Sequence, residues 1–206
     1  WQLAGSFRPS TGPPPASQAS LNLTMPSTRP VIGNDGWQNA VGDIFGVHDY
    51  AMDPARLTER YGSAEALRRT FEAIRPAHNR LLVDGQTFEQ QPVVVSEFGG
   101  LSIKPGEGEN WYGYATTNDA QELLVLYGAL VEALLDSTGI AGFCYTQLTD
   151  TEQETNGLLT AAREPKLDIA TIRAITSRPA RSVPNEIIDA IFQHEVAKRR
   201  ASRAEE

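Results

Sequence analysis

Cysteine is almost absent from this sequence: Cys144 is the single one among 206 residues. An internal disulfide and a multi-thiolate metal site are therefore excluded, and nothing marks an oxidising compartment. Basic charge is also scarce. Lys and Arg number 18 against 26 Asp and Glu, for a net charge of -8, and the pI is near 5.0. Binding of polyanions rests on Lys and Arg neutralising phosphates, so no nucleic-acid surface and no anionic-membrane surface is expected. The one concentrated basic run, Lys198 to Arg200, sits in the tail beside acidic residues. No window is apolar enough to span a bilayer. The opening WQLAG has neither an initiating Met nor the charged-then-apolar order of a signal peptide. The expectation is a cytoplasmic protein, or a piece of a longer chain. No glycine-rich dinucleotide fingerprint or P-loop follows any apolar run, so no nucleotide, no other cofactor and no metal is expected.

What is present is ordinary for a folded domain: 40% hydrophobic and 21% charged residues, on a chain long enough for one sizeable core. Residues 1-27 are rich in Pro, Ser and Thr without helical or strand period, and read as a poorly ordered lead-in. Four short apolar segments follow and read as strands: RPVIGNDGW (Arg29 to Trp37), DIFGVHDY (Asp43 to Tyr50), PVVVSEFGG (Pro92 to Gly100) and GIAGFCYTQLTD (Gly139 to Asp150). The consecutive valines Val93, Val94 and Val95 suit a strand buried on both faces. Between the segments lie helical patterns. PARLTERYG is followed by SAEALRRTFEAI, with Ser63 as N-cap and Leu67, Phe71 and Ile74 at helical spacing. The longest pattern runs from a capping Asn118 to Gly139, with Leu123, Leu126, Tyr127, Leu130, Val131 and Leu134 on one face. Leu167 to Ser177 and Asn185 to Ala201 read as two more helices. Strands alternating with helices imply an α/β fold of parallel βα units, either an open doubly wound sheet or part of a barrel.

If the four segments are parallel neighbours, their carboxyl ends converge on one rim. That rim carries Asn34, Asp35 and Trp37; His48, Asp49 and Tyr50; Glu97; and Tyr145, Gln147 and Asp150. These groups can hydrogen-bond hydroxyls and stack on a sugar ring, and α/β folds place their ligands at that edge. Trp111 and Tyr112, in the long loop LSIKPGEGENWYGYATT, could form one wall, since a loop of that length without structure of its own is usually functional. A nucleophile elbow around Ser96 fails on pattern, because the Gly required two positions before the Ser is missing.

The stretches VVVSEFGG and GFCYTQLTDTEQETNGLLTAAREPK resemble the carboxyl-terminal half of the barrel domain of family 2 glycoside hydrolases, the β-galactosidases, β-glucuronidases and β-mannosidases. The resemblance runs from STRPVIGNDGW to EPKLD. It implies a partial (β/α)8 TIM barrel, about strands five to eight with their helices, over residues 28-178, followed by a carboxyl-terminal helix and charged tail over 179-206. It assigns Glu97 as the nucleophile of a retaining glycosidase and a carbohydrate as the partner. Asn34, Trp37, His48, Tyr50, Trp111, Tyr145 and Asp150 become the expected substrate-binding residues.

The sequence also departs from that family. The general acid/base belongs to an Asn-Glu pair at the end of the fourth strand, which this chain does not contain. Its one such pair, Asn185 and Glu186, starts a predicted helix and is not given the role. Thr146 and Gln147 stand where many members have Trp-Asn, and Asn156 stands where the glucuronidases have a Lys, which disfavours glucuronides. The expectation is thus an incomplete catalytic domain, with a non-catalytic carbohydrate-binding or scaffold module as the alternative.

Overall fold

The computed structural model describes residues 29–104, 113–183 and 191–194. The expected lead-in over 1-27, Trp111, Tyr112 and Glu186 lie outside the described residues. Five strands are formed among the described residues: β1 (Phe45–Asp49), β2 (Val93–Gly99), β3 (Leu101–Ile103), β4 (Ala115–Thr117) and β5 (Gly142–Thr146). Among the described residues four helices accompany them, α1 (Pro54–Tyr61), α2 (Ala64–Ala73), α3 (Ala120–Leu135) and α4 (Ile169–Thr176), and residues 191–194 are helical as well. β1, β2 and β5 form one parallel sheet in the order β1-β2-β5, and β3 pairs with β4 in a second, also parallel. The fold is α/β.

Local chemistry sets the helix ends. Asp53 caps α1 by accepting from the Ala55 amide at 3.0 Å, with Pro54 at the first turn, where its missing N–H is harmless. Ser63 caps α2, accepting from Ala66 at 3.1 Å. The cap of α3 is Asp119, one residue beyond the expected Asn118. Asp119 accepts from the Glu122 amide at 2.8 Å, and Glu122 reaches back to the Asn118 amide at 2.7 Å. This reciprocal arrangement satisfies two orphan donors. No helix among the described residues is long and apolar enough to cross a membrane.

Phe45, Val47, Val93, Val95 and Phe98 project from one face of the three-stranded sheet into a core shared with Leu57 and Tyr61 of α1, Leu67 and Phe71 of α2, and Leu123, Tyr127, Leu130 and Leu134 of α3. Full burial of each such side chain contributes about 1.5–3 kcal/mol. The other sheet face is different: Val94 and Ser96 are half-buried and Cys144 is exposed. The expectation that the valine run is buried on both faces is therefore corrected, because the packed helices cover only the face of Val93 and Val95.

Two further expectations are revised. Arg29 to Trp37 does not form a strand. It forms one isolated parallel bridge, Ile32 to Ile44, and then bends over β1 where Gly36 takes φ +92° and its carbonyl accepts from the His48 amide. The loop after Glu97 is not structureless throughout, since its ends pair as β3 and β4.

A buried ion pair fastens α1 to the sheet. Asp49, facing the helices, accepts from Arg60 Nη1 at 2.6 and 2.7 Å and from the Tyr61 hydroxyl at 2.7 Å. Asp49 therefore leaves the rim on which the sequence placed it.

Candidate active site

Glu97 lies near the carboxyl end of β2, the central strand of the sheet. Gly46 pairs with Val94 but His48 with Glu97, so β2 advances three residues where β1 advances two. The same offset appears against β5, between Val95 and Phe98. β2 thus carries a β-bulge at Ser96 and Glu97. Val95 and Phe98 both remain in the core, which leaves the two residues between them to share the opposite face. Bulges of this kind re-aim side chains beside functional sites.

Glu97, with a side chain 38% exposed, accepts a hydrogen bond at Oε2 from the Tyr50 hydroxyl. His48 Nδ1 lies 3.7 Å from the same oxygen. Residues 48 and 50 share one side of an extended segment, so β1 sends both toward Glu97. Burial, followed by the bond to Glu97, pushes the Tyr50 hydroxyl far above the ordinary tyrosine range. Tyr50 is therefore a proton donor to the carboxylate at any working pH.

The loop before β1 completes the wall. Asn34 Nδ2 donates to the Trp37 carbonyl at 2.6 Å and closes a tight turn. Trp37 meets the His48 ring edge-on, centroids 5.0 Å apart. The His48 amide donates to the Gly36 carbonyl at 3.2 Å. Gly36 must be glycine on two counts: its φ is positive, and a Cβ there would lie 2.7 Å from the imidazole.

Asn34, Trp37, His48, Tyr50 and Glu97 thus stand in one connected cluster. Tyr145 and Asp150 are engaged elsewhere. The Tyr145 ring packs edge-on against Phe98 and Tyr127. Its hydroxyl accepts from the Leu101 amide at 3.1 Å and donates to the Asn156 carbonyl at 3.4 Å. Burial raises its pKa far above the usual tyrosine value, although the Leu101 amide opposes this. Asp150 accepts from Lys166 Nζ at 2.6 Å and from the Gly157 amide at 2.9 Å, tying the connection after β5 to the start of α4. Lys166 Nζ donates also to the Thr155 carbonyl at 2.9 Å.

Two participants were not singled out in the sequence. Tyr114 stacks flat on Tyr50, centroids 3.6 Å apart, and its position after a long loop gave no hint of this. Asp35 was placed on the rim without a role. Its Oδ2 is 3.2 Å from His48 Nε2, and its Oδ1 accepts from Ser96 Oγ at 2.5 Å. Among the described residues no group of three or more His, Cys, Asp or Glu side chains is arranged to hold a metal ion.

Chemically, the cluster presents a carboxylate on a backbone-fixed strand end, oriented by a phenol and an imidazole and flanked by a Trp. Such a group can attack an electrophilic carbon or stabilise a developing cation.

No protein-family model and no curated protein matches the chain. Among solved structures, it is similar to the crystal structure of a GH2 beta-galacturonidase from Eisenbergiella tayi bound to galacturonate. The sequence identity is 12% and the TM-score 0.41, over 69% of this chain and 24% of that one. The chain thus spans about a quarter of the length of that protein.

Proposed function

We propose that this chain is part of a retaining glycoside hydrolase of the family 2 type, with Glu97 as the attacking carboxylate. The observation that carries the reading is the convergence of Tyr50 and His48 on one oxygen of Glu97, at the end of the central parallel strand. A glycosidase nucleophile must be aimed at the anomeric carbon, and a carboxylate held by two neighbours on a strand end meets that need. The sequence pattern around Ser96, Glu97 and Phe98 supports the same role. On this reading β1, β2 and β5 correspond to strands six, seven and eight of a (β/α)8 barrel. The acid/base carboxyl group would come from a strand that this chain does not contain, so the piece alone is inactive. A neutral hexoside of the β-galactoside type is favoured over a glucuronide, because Asn156 replaces the lysine that would grip a uronate.

The test is trapping with a 2-deoxy-2-fluoro glycoside on the full-length protein, followed by intact-mass analysis and peptide mapping. A stoichiometric glycosyl adduct on Glu97, lost in Glu97→Gln, is expected. An adduct on another carboxylate, or inversion at the anomeric carbon, overturns the assignment. Sugar binding with no adduct and no turnover transfers the chain to the non-catalytic carbohydrate-binding class.

A further inference from the structure

We infer that Asp35 is a positioning residue for Glu97, acting on it from two sides at once, through His48 and through Ser96. The inference rests on Glu97 being the working group of the cluster. Its geometric part stands whatever chemistry Glu97 performs.

The two oxygens of Asp35 have separate duties. Oδ1 accepts from Ser96 Oγ at 2.5 Å, and Ser96 is the residue that shares the bulge with Glu97. Holding the Ser96 side chain holds the backbone from which Glu97 projects. Oδ2 is 3.2 Å from His48 Nε2. A carboxylate can only accept, so the ring carries a hydrogen on Nε2. That bond sets the ring plane and places Nδ1 3.7 Å from Glu97 Oε2, where the ring supports the carboxylate when Nδ1 bears a hydrogen as well. The titratable groups facing the ring are Asp35, Glu97 and Tyr50, the last with ring centroids 6.3 Å apart. Trp37 packs edge-on against the imidazole, and Gly36 leaves the space the ring fills.

The strand beneath is shaped for this carboxylate. A Cβ on Gly46 would collide with Asp35 Oδ1 and press on Ser96 Oγ. Gly46 lies in regular β1 without positive φ, so the space it leaves, not its backbone freedom, is what Asp35 uses. An exposed aspartate on a loop is ordinarily a solvated turn residue. This one fits a notch in the sheet floor and touches both supports of a single glutamate.

The experiment uses the full-length protein with 15N-labelled histidine and 13C-carboxyl-labelled glutamate. His48 and Glu97 resonances are assigned with His48→Gln and Glu97→Gln. Asp35→Asn is expected to change the hydrogen distribution over the His48 ring nitrogens, read in their 15N shifts, and to shift the Glu97 carboxyl carbon. Gly46→Ala is expected to reproduce both changes without removing a polar atom. In the same protein, Asp35→Asn should lower kcat on an aryl glycoside by on the order of tenfold to a hundredfold with KM within about twofold, as expected of a misaimed group. An unchanged Glu97 carboxyl shift in Asp35→Asn overturns the proposal even if Gly46→Ala fails to fold. So does a kcat equal to that of the unmodified protein. If the unmodified protein turns over no glycoside and forms no adduct, the glycosidase reading fails, and the two shifts alone still decide the role of Asp35.

Discussion

Tyr50 lies flat on Tyr114, ring centroids 3.6 Å apart and planes 5° from parallel, while its hydroxyl donates to Glu97 and also meets the Tyr114 hydroxyl. The pair connects the end of β1 to the chain that enters β4. The aromatic faces supply packing, and the hydroxyl supplies the directional contact to the carboxylate.

Tyr50→Phe separates these contributions. The stack survives and the donor to Glu97 is lost. A hydrogen bond to a charged group contributes about 1.5–3 kcal/mol, so kcat/KM of the full-length protein on a glycoside should fall by roughly 10- to 150-fold. The thermal midpoint should change little. Activity within twofold of the parent would show that the phenol does not orient Glu97.

Asp49→Ala tests the anchor between sheet and helix. The substitution strands the Arg60 guanidinium and the Tyr61 hydroxyl, whose shared acceptor is only 1% exposed. Breaking a buried pair from one side costs about 3–5 kcal/mol, a large share of a typical folding free energy. Urea unfolding should show this as a markedly lower midpoint. A shift below about 1 kcal/mol would mean that α1 is held by apolar packing alone.

Alkaline pH should destabilise the fold. Burial raises Tyr61 and Tyr145 above the ordinary value of 10.0, Tyr61 further because of the Asp49 charge. Below pH 10 both the folded and the unfolded chain keep these protons, and the stability is fully present. As pH rises beyond that, the unfolded chain releases them while the folded one retains them, so stability falls. The slope approaches about 1.4 kcal/mol per pH unit for each retained proton. Tyrosinate absorbance should lag in the native protein and appear together with unfolding. Free titration of all six tyrosines near pH 10, with the fold intact, would contradict the burial.

Lys166→Met should loosen the segment after β5. Asp150 would lose one of its two partners at Oδ1 and keep the Gly157 amide. The pair is 12–15% exposed, so a loss of roughly 2–4 kcal/mol is expected. Hydrogen exchange should quicken at the Leu159 and Lys166 amides ahead of those in β2. Uniform exchange rates would argue against a local clasp.

Much of the fold was legible because its causes are local. The heptad-like spacing of Leu123, Tyr127, Leu130 and Leu134, and the oxygen-bearing cap Ser63, act within a few residues of themselves. Tyr50, His48 and Glu97 were legible as strand-end polar groups for the same reason. What was not legible depends on distance in sequence. Asp35 meets Ser96 across 61 residues, and Tyr114 meets Tyr50 across a loop whose path the sequence does not encode in any short pattern. The first expected strand failed because Gly36, at positive φ, lets the chain bend over His48 before a ladder could extend. Tyr145 and Asp150 looked like rim residues, but a residue's place at a strand end does not tell which face it takes.

The bulge in β2 makes the strand unequally tolerant of changes in length. Deleting Ser96 would restore plain alternation from Val95 through Glu97 to Phe98, so Glu97 would keep its side of the sheet and Phe98 its place in the core. Inserting one residue between Ser96 and Glu97 would keep Glu97 and Phe98 on their sides, but it would turn the new side chain into the apolar layer and leave β2 two residues in excess of β1 and β5. Descendants of this sequence can therefore shorten here without a compensating change, whereas lengthening here also demands an apolar newcomer and room for it, so indels along this strand should favour loss.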